Sequence, residues 1–322
     1  MSGVAKAPKS SKRPYVMRRG IATMSDLADG NTSYPGDYPN RVYFVNNVTG
    51  SSGASGLGDW GNAMDEVSTA ITASEAYRAT LSTNNQYVRN QIYVQATATA
   101  YTKLTALPLY CDIIGIGADP RGTNQGVPRI GSDTVAESGC AVTDTVRGLN
   151  VYNIQFQAGL NKYPMSIASM YRSMFVNCSF MTNGAATGNP TAAFYVSTAI
   201  GSVVIQDCMI GGSSASRDTE PDIGMKIAGT HFHNMLVQNN FIAGKDAGIQ
   251  IASSVTSGFG SLVKDNFIGE SSQTCAIGID DNSTTGDVIF AGNYIFATDA
   301  VELTTNGSGR NIGNIAANAF TA

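Results

Sequence analysis

The sequence predicts an all-β fold, a right-handed parallel β-helix solenoid in which each turn of chain stacks on the one before. Three observations carry that expectation. Short segments of one pattern recur from residue 151 onward, 35 glycines punctuate the chain, and only 14% of residues are charged. Low charge with many small polar and β-branched residues suits a long β structure better than a helical bundle. Apolar residues make up 43% of the 322, enough for a continuous core.

Three regions follow one another. Residues 1–40 hold Pro8, Pro14, Pro35 and Pro39 among many Ser, Gly and Asn, with neither helical nor strand periodicity. They read as an extended basic arm that orders on a partner. Its cations, Lys6, Lys9, Lys12, Arg13, Arg18 and Arg19, are the only charges before Asp26. The whole chain carries −4, so the first 25 residues are strongly basic and the remainder is acidic. Such asymmetry points to a docking segment. No apolar run follows these cations, so a secretory leader is not expected, and no stretch is apolar enough to cross a bilayer. Cys111, Cys140, Cys178, Cys208 and Cys275 show no paired spacing and read as small buried residues of a reducing compartment.

Residues 41–90 open on the strand-like Arg41-Val-Tyr-Phe-Val45 and pass through a Gly/Ser loop. From Trp60 to about Ala73, Trp60, Met64, Val67, Ala70 and Ile71 fall three or four apart, the stripe of an amphipathic helix. One short helix ahead of a long run of strands is placed to cap the open edge of the first turn.

Residues 91–322 carry the repeat. Phe175-Val-Asn-Cys-Ser-Phe180, Ile205-Gln-Asp-Cys-Met-Ile210, Val237-Gln-Asn-Asn-Phe-Ile242, Val263-Lys-Asp-Asn-Phe-Ile268 and Phe290-Ala-Gly-Asn-Tyr-Ile295 align, with Val151-Tyr-Asn-Ile-Gln-Phe156 before them and Ala316-Ala-Asn-Ala-Phe320 after. With Phe156, Phe180, Met209, Phe241, Phe267 and Tyr294 as markers, the steps are 24, 29, 32, 26 and 27 residues. A period in the twenties with variable insertions marks a solenoid whose loops differ from turn to turn. Each copy supplies a strand, a polar corner and another strand. Asn239, Asn240, Asn266 and Asn293 are candidates for a corner ladder, because Asn tolerates left-handed backbone and its amide can bond to the Asn above and below.

These repeats, with Tyr43-Phe-Val45, the Trp60 segment, Ile92-Tyr-Val94 and Asp112-Ile-Ile-Gly-Ile-Gly117 upstream, resemble the right-handed parallel β-helix proteins of the pectate-lyase-like class. The resemblance covers about residues 41–322. It implies the fold and leaves function open, because this scaffold hosts lyases, hydrolases, epimerases and viral spikes. The basic arm is similar to the layout of phage tailspikes, head fibres and decoration proteins. That similarity implies a non-enzymatic virion protein, assembled in the host cytoplasm. It would be a homotrimer docked through its arm on virion or capsid proteins, without a cofactor or a membrane. The alternative is a tailspike-type lyase or glycoside hydrolase acting on a host surface glycan.

Residue chemistry bears on that choice. A glycosidase needs two carboxylates flanking the scissile bond. Asp280-Asp281 resembles the paired aspartates of polygalacturonases, but the supporting Gly-His-Gly and Arg-Ile-Lys motifs are missing, and Asp-Asp-Asn reads as a turn. Asp207 and Asp265 occupy matching places in non-adjacent copies and read as corner residues. Arg310 is isolated and reads as a surface charge. His231 and His233 flank Phe232, which on a strand puts both imidazoles on one face. With Asp222 and Glu220 nearby they form a weak metal candidate. No coherent acid–base cluster emerges, so a structural role is favoured over catalysis.

Overall fold

Each repeat changes direction at single residues held in the left-handed backbone region. The computed structural model describes residues 40–316, apart from 82–84, 86, 121–125, 133–136, 160, 183–191, 212–220, 270–274, 285–286 and 304–309. The arm cations Lys6, Lys9, Lys12, Arg13, Arg18 and Arg19 lie outside the described residues, as do Glu220 and the end of the chain.

Successive passes of chain build three sheets whose strand pairs are all parallel, giving an all-β parallel solenoid. The first sheet has ten strands, from Val42–Val45 to Arg310–Ile312, and the second has eight, from Arg129–Ile130 to Ile315–Ala316. The third runs from Cys140–Arg147 to Ala297–Leu303, with His231–His233 pairing onto the end of Ala192–Gly201. One coil shows the order: Val204–Gln206 in the first sheet, Met209–Ile210 in the second, then Ile223–Ile227 and His231–His233 in the third.

Between first and second sheets stand Asn153, Asn177, Asp207, Asn239, Asp265, Gly292 and Gly313, with φ from 53° to 63°. Asn, Asp and Gly fill this column because they tolerate left-handed backbone at least cost. Between third and first sheets a second column holds Tyr110, Gly148, Arg172, Ser202, Asn234 and Gly260, again at positive φ. Residue types vary here, so this corner has no sequence signature.

The residue after the first corner points inward. Asn240, Asn266 and Asn293 are essentially buried and form a hydrogen-bonded column that continues to Asn314. Asn266 Oδ1 accepts both the backbone N–H and the Nδ2 of Asn240, each at 3.0 Å. Its own Nδ2 donates to Val237 O at 3.0 Å and to Asn293 Oδ1 at 2.9 Å. Each side-chain amide therefore ties three coils and keeps a buried turn satisfied. The same column begins with cysteines: Cys208 N–H donates to Asn240 Oδ1 at 2.9 Å, and Cys178 N–H reaches Cys208 Sγ at 3.4 Å. All five cysteines are buried and none forms a disulfide, and burial pushes the thiols of Cys111 and Cys140 up. Asn239 is not a rung. It supplies the left-handed bend, and the bend and the ladder are adjacent residues with separate tasks.

Interior rows run the length of the stack. On the first sheet Tyr43, Ile92, Ile113, Val151, Phe175, Ile205, Val237, Val263 and Phe290 lie in register and buried. On the second sheet Ile130, Phe156, Phe180, Ile210, Ile242, Ile268 and Ile295 do the same. This corrects the marker row read from sequence. Phe156 and Phe180 point inward, whereas Met209, Phe241, Phe267 and Tyr294 follow one another in the neighbouring row, which Met209 enters by pairing with Ser179, and point outward. A slip of one residue exchanges the faces of a strand, and the true step at that coil is 30 residues.

One further expectation shifts. The helix, α1, spans Val67–Ala79 rather than starting at Trp60. Trp60–Asn62 form a 3-10 turn capped by Asp59, and Met64 is drawn into extended pairing, donating to Phe44 O and accepting from Asn46 N–H. Strand pairing outcompetes helix there because Gly61 and Asn62 are weak helix formers. Among the described residues the last repeat is Asn311-Ile-Gly-Asn-Ile-Ala316, aligned with Phe290–Ile295, and the weaker copy read at Ala316–Phe320 lies almost wholly outside the described residues.

Asn266→Ala should strand the Asn240 amide groups and Val237 O, costing on the order of 3 kcal/mol; the urea midpoint measures this. Burial pushes Tyr93 up to about 12, with Tyr43, Tyr101 and Tyr152 raised in the same direction. A phenol raised in the folded state contributes stability present below pH 10 and lost as pH rises through its folded value. The thermal midpoint should therefore fall between pH 10 and 12, with a shallower slope in Tyr93→Phe.

Candidate functional site

The acidic candidates end up on different sides of the molecule. Asp280 and Asp281 are the last residues of strand Cys275–Asp281, not a solvated turn, and both are buried. The strand continues because Asp280 pairs with Gln250 below and Glu302 above, and Asp281 with Ile251 and Leu303. Asp280 lies on the outer face, where Oδ2 accepts from Gln250 Nε2 at 2.8 Å and Oδ1 accepts from Asn282 Nδ2. Asp281 lies on the inner face, in the row of Val196, Ile227 and Ile251, where its Oδ1 accepts the Ser283 N–H at 3.0 Å. Two carboxylates on opposite faces of one strand cannot flank one glycosidic bond.

Asp207 and Asp265 both sit in the first corner column, with the coil of Asn239 between them. Asp207 Oδ2 accepts from Gln206 Nε2 at 2.9 Å, and Asp265 meets Lys264 Nζ at 3.4 Å. Neither is near the outer face that carries Asp280, which belongs to the third sheet. The four acids share no pocket.

The histidines do come together. Phe232 is buried, and His231 and His233 project outward with ring centroids 5.1 Å apart and planes at 77°. Thr230 Oγ1 lies 2.7 Å from His231 Nδ1. Asp222 lies about eight strand positions away, on the order of 25 Å along the sheet. Among the described residues no group of three His, Cys, Asp or Glu gathers as a metal site would require.

What surrounds the histidines is a pocket of about 340 Å³ lined by Tyr171, Arg172, Ile200, Gly201, Ser202, His231, His233 and Asn234. Register explains it. Arg147, Tyr171, Gly201 and His233 follow one another on successive coils of the outer face. Glycine in the middle leaves a vacancy between a phenol and an imidazole. The second corner column then places Arg172, Ser202 and Asn234 beside these three positions. Arg147 lies over the Tyr171 ring, 5.8 Å from its centroid, so that wall carries positive charge. Sequence reading found the two histidines through their spacing. It missed Tyr171, Arg172, Gly201 and Ser202, which are 29 or more positions away and meet them only through stacking.

No protein-family model matches the chain, and no curated protein is similar to it at a significant level. The residues themselves therefore carry the functional reading.

Asp281→Ala removes the acceptor of a buried N–H and should cost about 1–3 kcal/mol, whereas Asp280→Asn keeps an acceptor and should cost less than about 1 kcal/mol. Chemical denaturation of both variants tests the assignment of inner and outer faces.

Proposed function

We propose that the chain is a non-enzymatic structural protein of a virus particle, a phage head-decoration, fibre or spike subunit. In this reading the stack is a right-handed parallel β-helix, the hand that parallel crossovers almost always adopt, and α1 covers its first turn. Support for that cover comes from Val67, Ala70 and Ile71, which are buried in the same core as Tyr43, Val45 and Ile92. Tyr43 Oη also donates to Ala73 O at 3.2 Å, and Asn90 Nδ2 to Ser74 Oγ at 2.9 Å.

The observation that carries a structural over a catalytic reading is the dispersal of Asp207, Asp265, Asp280 and Asp281. Each bonds its own neighbours, and none faces another across a cleft. A scaffold whose backbone is paired coil to coil suits display on an exposed surface. The six arm cations supply the charge to dock on an acidic particle, and a homotrimer follows from the resemblance of layout.

Deleting residues 1–30 should abolish association of the purified full chain with its particle, and raising salt should weaken it, since exposed charges are screened beyond about 8 Å at physiological ionic strength. The intact chain should sediment at about three times 33.7 kDa. A monomer whose particle binding survives the deletion would sink this reading. Release of reducing ends or unsaturated sugars from capsular or uronate polysaccharides would replace it with the depolymerase.

A further inference from the structure

We propose that the pocket between Tyr171 and His233 binds a ring-bearing carboxylate, with the ring over Gly201 and the carboxylate against Arg172 and the imidazoles. This goes beyond the virion reading and does not depend on it.

The size of the vacancy comes from the fold itself. Where three coils in one outer row all carry rings, as at Phe241, Phe267 and Tyr294, the centroids are 5.2 and 5.3 Å apart with nearly parallel planes. The Tyr171, Gly201 and His233 row repeats this arrangement with the middle ring missing. Adjacent strands are about 4.8 Å apart, so rings on the two outer coils are separated by roughly twice that, which leaves space for one stacked ring. Tyr171 forms the near wall: a Cβ built on Gly201 would lie 3.3 Å from its Cδ1.

The charge of the ligand follows from the lining. None of the eight residues is a carboxylate. Arg172 is exposed and forms no ion pair among the described residues, and Arg147 adds a second guanidinium over Tyr171. His233 Nε2 is buried without a hydrogen-bond partner. His231 is held by Thr230 through Nδ1, so its other ring nitrogen is available to a ligand. Ser202 and Asn234 add a hydroxyl and an amide at the rim. A divalent metal would find two imidazoles and a repelling guanidinium, whereas a carboxylate finds a planar fork of donors and nitrogen atoms in need of a partner. A bare inorganic anion would leave the ring slot unfilled.

The chain contains two histidines, and both line this pocket, so imidazole NMR signals of the full-length protein report on it alone. The probes are benzoate and glucuronate as ring carboxylates, acetate and inorganic phosphate as ringless anions, methyl glucoside as a neutral ring, and Zn²⁺. We expect saturable shifts of both histidine signals with benzoate or glucuronate, and the stronger of these two identifies an aryl or a sugar source. Acetate, phosphate and methyl glucoside should bind roughly tenfold or more weakly, the worth of a charge-assisted hydrogen bond or a stacked ring. Gly201→Phe should fill the slot and abolish binding; its Cβ would lie 3.3 Å from Tyr171 Cδ1 and 3.6 Å from His233 O, so the Tyr171 ring must give by a few tenths of an ångström, and the thermal midpoint checks that the variant is folded. Gly201→Thr is the smaller alternative should phenylalanine disturb the strand. Arg172→Asn, which keeps a residue tolerant of the left-handed φ of 51°, should weaken binding roughly tenfold or more. The proposal is overturned by no saturable shift with either ring carboxylate, by equal binding of acetate or phosphate, by unchanged binding in folded Gly201→Phe or Gly201→Thr, or by a response to Zn²⁺ alone.

Discussion

A chain that turns at its own core must find a hydrogen-bond partner for every amide at the turn, because a buried group left unpaired costs as much as several apolar contacts return. The column of Asn240, Asn266, Asn293 and Asn314 meets this demand. Asn266, Asn293 and Asn314 each stand in for the missing strand partner of the coil before, and the amides of Asn240, Asn266 and Asn293 are themselves satisfied by the coil before and the coil after. The left-handed residue just ahead of each rung makes this possible by aiming the next side chain inward. At Cys178 and Cys208 the same place is held by sulfur, a weaker acceptor but a comparable shape, and there the neighbouring core is filled by Phe156, Phe175, Phe180 and Phe194. Polar rungs give way to cysteine where aromatic packing is densest.

Once the corners are locked, everything on the outside follows from register. Parallel, in-register coils convert one position of the repeat into a row on the surface, and the character of each row is decided one residue at a time. Phe241, Phe267 and Tyr294 make a continuous stack of rings. Tyr195, Lys226, Gln250 and Asp280 make a mixed polar row on another face. A glycine in a ring-bearing row makes a gap, and the gap at Gly201 is bounded by groups that no sequence window contains together.

The acidic residues show the same logic in reverse. Asp280 and Asp281 look like a pair because they are adjacent in sequence, but adjacency on a strand means opposite faces. Asp281 takes an interior position that Ile227 and Ile251 hold on the coils before it. A carboxylate there needs a local donor, and the Ser283 N–H supplies one at the strand end. Nothing in this geometry gives either acid a partner on a reacting bond, and the corner column that holds Asp207 and Asp265 lies between the first and second sheets, away from the third-sheet strand that carries Asp280 and Asp281.

Sequence by itself determined the parallel, repeating β architecture, the spacing of its coils and the rungs at Asn240, Asn266 and Asn293. Those features are local: the alternation of apolar residues, the left-handed preference of Asn, Asp and Gly, and the recurrence of both every 24 to 32 residues. Asn314 was legible too, in Asn311-Ile-Gly-Asn-Ile-Ala316, a copy that follows Phe290–Ile295 in the same pattern. Tertiary structure alone decided which marker residues faced inward, where α1 began and what lay beside the histidines. Faces depend on a register that one inserted residue reverses, and α1 yielded its first turns to strand pairing with Phe44 and Asn46. The pocket of Tyr171, Arg172, Gly201, His231 and His233 draws on three coils whose loops differ in length, so stacking, not spacing, brings its residues together.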